Sequence, residues 1–158
     1  MTSIAAVITL MTASATTTAA AAAAEPRVEQ ELWWCNVSLD YPHRSHTQPD
    51  RVNVHADIKQ CQRPMPAFKI ALSLYQDEVS PVSTRLLGNN KKRARLVANT
   101  APQENVWFTY RAVAKFTIED GSEPFKATLV SVPQQICIGT NCPPQPDPDS
   151  GRLAATRW

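Results

Sequence analysis

The stretch VWFTYRAVAKFTI, residues 106–118, decides the fold. Its even positions carry Val106, Phe108, Tyr110, Ala112, Ala114, Phe116 and Ile118; its odd positions mix Trp107, Thr109, Arg111, Val113, Lys115 and Thr117. Successive side chains of a strand point to opposite faces, so this alternation describes a strand with one face in a core. It runs unbroken for 13 residues. An ordinary strand has about 5–6, which predicts a bend here or a strand that serves two sheets.

Working outward, the same period recurs. Leu32–Leu39 alternates Trp33, Cys35, Val37 and Leu39 against Trp34, Asn36 and Ser38, and Arg51–Gln60 alternates Val52, Val54, Ala56 and Ile58 against polar partners. Ala67–Gln76 places Phe68, Ile70, Leu72 and Leu74 on one face. Tyr41–Asp50 reads as a polar loop. Leu86-Leu87 ends at Gly88-Asn89-Asn90, which is turn chemistry, and Arg95–Ala98 returns as a short strand. Asp120-Gly121 supplies a hairpin turn. Phe125–Val132 follows, Pro133 interrupts it, and Gln134–Ile138 is a last short strand. About seven short strands without an amphipathic helix predict an all-β domain over residues 25–142. The expected form is an antiparallel sandwich of immunoglobulin-like size, with a partly closed barrel as the alternative.

The chain has 158 residues, room for one domain. Its net charge of +2 is too mild to argue for nucleic acid, and 4 Gly against 13 Pro disfavour a glycine-rich phosphate-binding loop. Residues 1–24 hold no Asp, Glu, Lys, Arg or His. An apolar run, Ile4–Met11, precedes a small-residue run, Ala13–Ala24. That order is the core and cleavage zone of a secretory signal, with the mature chain starting near Glu25; cleavage after Ala15 satisfies the same rule. No Lys or Arg precedes Ile4, where such signals carry positive charge. No apolar run approaches the roughly 20 residues of a membrane span, so the expectation is a secreted, extracellular protein without a stable membrane anchor. Residues 143–158 open with Pro143, Pro144, Pro146 and Pro148 and read as a disordered tail.

All 4 cysteines lie past the signal: Cys35, Cys61, Cys137 and Cys142. An even count in a small exported chain reads as two disulfides. Of the three pairings, Cys35–Cys61 with Cys137–Cys142 is favoured. The second closes a short loop over Gly139 and Asn141, and the first ties neighbouring strands. Cys61 falls off the apolar parity of its own strand, so this pairing needs a bulge or a strand end near Gln60. A zinc site is the competing reading, but its paired C-x₂₋₄-C spacing is not completed. His43 and His46, with Asp40 and Asp50 nearby, form a loop cluster whose spacing specifies no metal geometry, and His55 lies on the polar side of its strand.

Several residues are candidates for binding. Trp34 and Trp107, beside Arg111 and Lys115, would form an aromatic platform next to positive charge if both point outward. Lys91, Lys92, Arg93 and Arg95 form the densest basic run, suited to polyanions, although loop tips are charged by default. Arg63, Pro64, Met65 and Pro66 make a proline-locked segment of the kind secreted inhibitors present. Asn36-Val37-Ser38 is a formal glycosylation sequon inside a strand. No G-x-S-x-G elbow or distinctive carboxylate pair is present.

The signal-like start, the Val52-x-Val54-x-Ala56-x-Ile58 run into Cys61, the prolines after it and the alternating strand beyond resemble small exported β-proteins of actinobacteria. The resemblance covers about residues 32–138. It implies a secreted β-sandwich and transfers no functional residue. The function expected is therefore non-enzymatic binding of an extracellular protein or polysaccharide, with no cofactor, metal or nucleic acid. The alternatives are a secreted hydrolase inhibitor using Arg63–Pro66, and a small extracellular hydrolase.

Overall fold

The computed structural model describes residues 27–77, 79–102 and 104–145. The expected signal over residues 1–24, the mature start at Glu25 and the tail beyond Gln145 lie outside the described residues. Ten strands follow one another in the described chain, with no helix between them. They are β1 (Arg27–Leu32), β2 (Cys35–Asp40), β3 (His43–Arg44), β4 (Val52–Lys59), β5 (Met65–Gln76), β6 (Val82–Lys91), β7 (Ala94–Asn99), β8 (Trp107–Glu119), β9 (Pro124–Val130) and β10 (Gln134–Cys137).

The strands make two antiparallel sheets that pack face to face as a sandwich, not a closed barrel. In the first, β4 is central, with β2 and β3 in succession along one side, β7 on the other and β1 outside β2. In the second, β8 is central. It pairs with β5 along one side, and β10 and then β9 along the other, with β6 outside β5.

The core follows the alternation. Val37, Leu39, Val52, Val54 and Ile58 from the first sheet meet Phe68, Ile70, Leu72, Tyr110, Phe116 and Ile118 from the second, all buried. Along the β5–β8 ladder Leu72 is opposite Ala114 and Leu74 opposite Ala112, while Phe68 is opposite Ile118 and Ile70 opposite Phe116.

Both disulfides form with the expected pairing, Cys35–Cys61 and Cys137–Cys142. The parity problem at Cys61 is solved where expected. β4 ends at Lys59, and Gln60 takes a left-handed backbone (φ 55°), which turns Cys61 inward.

Four sequence expectations are corrected. Leu32–Leu39 is not one strand: Trp33-Trp34 is a two-residue hairpin turn joining Leu32 to Cys35, with φ 58° at Trp33. A positive φ at the first central position is the type II′ pattern, which usually selects glycine. Tyr41–Asp50 contains β3. β8 does not serve two sheets; its length is used by two successive partners on one side, with Ala112 bridging the gap through Ser131. Finally, Gly88-Asn89-Asn90 is not a turn but part of β6, and the reversal comes at Lys92-Arg93. Asn90 does take a left-handed φ of 49° just before it.

Gly88 has a packing role instead. It sits opposite Phe68, and a Cβ built on it would lie 2.5 Å from Phe68 Cζ and 2.6 Å from Cε1. Phe68 is buried, so its ring has little room to retreat. Gly88→Ala is therefore expected to destabilise the fold by about 1–3 kcal/mol through overpacking, and Phe68→Leu to recover part of that loss. Urea unfolding of the two single variants and the double measures this; a Gly88→Ala protein as stable as wild type would reject the account.

Candidate binding surface

Four turns gather at one end of the sandwich: Trp33-Trp34, residues 60–64, Lys92-Arg93 and residues 120–123. The Cys35–Cys61 bond ties the first two together, and the Gln62 N–H donates to the Trp34 carbonyl (3.0 Å). Asp120 then links three segments. Its Oδ2 accepts from Trp33 Nε1 (3.0 Å) and from the Arg63 guanidinium (2.9 Å). That guanidinium also lies over both indoles, 4.6 Å from the Trp33 ring centre and 5.5 Å from that of Trp34. Lys92 Nζ donates to the Gln62 carbonyl at 3.4 Å, which brings the basic run to the same end. Trp34 remains 47% exposed within this scaffold.

The sequence candidates thus divide. Trp34, Arg63, Lys91, Lys92 and Arg93 share this end. Trp107 does not: it begins β8 at the opposite end, where its indole N–H donates to the Pro143 carbonyl (2.7 Å). The Trp34–Trp107 platform is therefore not formed. Arg111 and Lys115 lie on the outer face of the second sheet, with the Arg111 guanidinium 5.3 Å from the centre of the Tyr75 ring. In the proline-locked segment Pro64 and Pro66 are exposed. Met65 is fully buried in the core, and Arg63 is held by Asp120 and the indoles.

The outer face of the first sheet carries ion pairs. Arg95 meets Asp57 through two hydrogen bonds (2.6 and 3.0 Å), and Lys59 reaches Glu29 at 2.7 Å. These interactions raise the Arg95 pKa and lower that of Glu29. Asp40 accepts from Arg27 (2.6 Å) and from His55 Nδ1 (3.1 Å). Burial by itself pushes the Asp40 carboxyl up, but the hydrogen bonds from His55 and Arg27 outweigh it, so the carboxyl titrates below its ordinary range.

The three histidines come together, which spacing alone did not show. The His43 ring centre is 5.5 Å from that of His55 and 6.1 Å from that of His46. Among the described residues no group of His, Cys, Asp or Glu is placed to hold a metal ion. His55 and Asp40 have the geometry of a base and its orienting carboxylate. The buried hydroxyl of β2, Ser38 Oγ, makes no hydrogen bond to that imidazole. In the sequon, Asn36 Nδ2 donates to Gln60 Oε1 and Ser38 is buried.

No family model matches the chain, and no curated protein matches it. Among solved structures, one described as "putative beta-galactosidase from bacteroides fragilis" overlaps 63% of this chain at 11% identity, with a TM-score of 0.37. The overlap spans 16% of that protein's length and carries no argument about activity.

The Asp40 site gives a pH test. A carboxyl whose pKa is lowered by folding adds stability above its unfolded value, about 3.9. That stability is lost as pH falls through the folded value. Asp40→Asn is expected to cost about 1–3 kcal/mol near neutral pH, with the gap from wild type closing below about pH 4. Thermal unfolding across pH checks this; a gap of constant size down to about pH 2 would contradict it.

Proposed function

We propose that the protein is a secreted binding module, without chemistry of its own, that engages an extracellular protein through the end carrying Trp34. The observation that supports this most is Trp34 itself: a large aromatic, 47% exposed, beside an arginine already fixed by Asp120 and Trp33. Tryptophan and arginine dominate the binding energy of protein interfaces. Side chains held in place before binding lose less conformational freedom on association. The disulfide supports that order here, since it joins Cys35, next to Trp34, to Cys61, two residues before Arg63. The uncharged leader and the disulfides favour an extracellular setting.

Two measurements test this reading. The intact mass of protein recovered from culture medium is expected to match a start near Glu25, with no thiol available for alkylation. Full-length protein held in cells with free thiols would remove the basis for secretion. Partner capture from the same medium is expected to recover a protein that binds wild type and the Trp107→Ala variant. Trp34→Ala is expected to weaken that binding at least about tenfold, the scale of an interface anchor. Equal capture by all three would show that this end is not the interface.

A further inference from the structure

We propose that the outer face of the second sheet is a second binding site, whose ligand is an acidic polysaccharide. The register places its outward residues in rows. Leu87, Lys69, Thr117 and Lys126 form one row, and Arg85, Ala71, Lys115 and Thr128 the next. Two strand spacings separate Lys69 from Lys126 and Arg85 from Lys115, about 10 Å in each case. The rows themselves lie about 7 Å apart. Four cations therefore form an open grid on one face.

None of the four has an ion pair or side-chain hydrogen bond among the described residues. Neither row holds a carboxylate; Glu119, opposite Ala67, is in the adjoining row at the end of the sheet. The first sheet is built the other way. Its outer cations Arg27, Lys59 and Arg95 are each matched to a carboxylate. The protein's net charge of +2 thus hides an uneven distribution in which Lys69, Arg85, Lys115 and Lys126 stand on one broad face without an ion pair among the described residues.

Beside the Arg85–Lys115 row, on the side away from Lys69 and Lys126, the floor is low. Ala71, Ser73, Ser83 and Val113 line a trough of about 460 Å³ flanked by Arg85 and Lys115. The Ser73 and Ser83 hydroxyls are hydrogen-bonded to each other at 2.9 Å and lie open to a ligand. At the next outward position Tyr75 closes the trough, its ring covered by the Arg111 guanidinium at 5.3 Å. A flat, hydroxylated trough with spaced cations suits a chain that carries well-separated carboxylates. Duplex DNA has one charge per about 1.7 Å of axis, far denser than this grid. Single-stranded nucleic acid needs successive aromatic platforms, where this floor has small residues. The exposed Leu87 and Val130 stand on opposite flanks, on β6 and β9, so they form no continuous patch to enter a lipid surface.

The test uses the full exported chain with polygalacturonate as the acidic probe and dextran as the neutral one. Wild type is expected to bind polygalacturonate in a salt-dependent way and to leave dextran unbound. Arg85→Glu with Lys115→Glu is expected to lower that affinity at least about tenfold and to reduce the salt slope by about two. Should the reversed pair fail to fold, Arg85→Gln with Lys115→Gln gives a smaller loss in the same direction. Trp34→Ala is expected to leave polygalacturonate binding unchanged, which separates this face from the tryptophan end. Unchanged binding by the reversed pair overturns the proposal. So does loss on reversing only Lys91, Lys92 and Arg93, or equally tight binding to duplex DNA or phosphatidylglycerol vesicles.

Discussion

The ladder between β5 and β8 is the constraint on which the other features depend. It runs in unbroken register from Ala67 opposite Glu119 to Gln76 opposite Tyr110. Because both strands bury their even-numbered side chains, one pairing fixes three things together. The inner rows become half of the core, and the outer rows become a solvent face. The strand ends determine which turns meet at each end. A slip of one residue would turn one strand over relative to the other, putting either Lys69 of β5 or Lys115 of β8 into the core. The cost of burying unpaired charge makes that register uncompetitive.

The two outer faces put charge to different uses. On the first sheet the cations act locally, closing over Asp40, Asp57 and Glu29 and shielding polar groups that would otherwise sit between strand and solvent. Asp40 and Asp57 are buried beneath those partners. On the second sheet Lys69, Arg85, Lys115 and Lys126 have no such duty among the described residues. A surface whose cations are already matched offers a charged ligand little. A surface whose cations are unmatched keeps its field available at distances up to about the Debye length.

What the sequence showed, and what it hid, follows from the range of the interactions involved. The sandwich and its core were legible because a period of two is local. The disulfide pairing was legible in part, because the short Cys137–Cys142 loop left Cys35 and Cys61 for each other. The Trp33-Trp34 hairpin was hidden because neither residue signals a turn and the alternation runs on through it. Gly88 was misleading for the opposite reason: it carries a turn signal, yet its requirement comes from the Phe68 ring, 20 positions away. The tryptophan end could not be assembled beforehand, since Arg63 meets Asp120 across 57 positions and Trp33 meets it across 87. Trp34 and Trp107 looked alike in the alternation, and only the direction of each strand assigns them to opposite ends.

The bond from the Trp107 indole to the Pro143 carbonyl bears on how the domain can be mounted. It holds the chain after Cys142 against the start of β8, the pole opposite Trp34. β1 begins at that same pole, with Arg27 beside Asp40 at the far end of the first hairpin. Both the incoming and the outgoing chain therefore meet the domain on one side. A tether attached through either would lift the four-turn end away from its support, leaving Trp34 pointing toward whatever approaches.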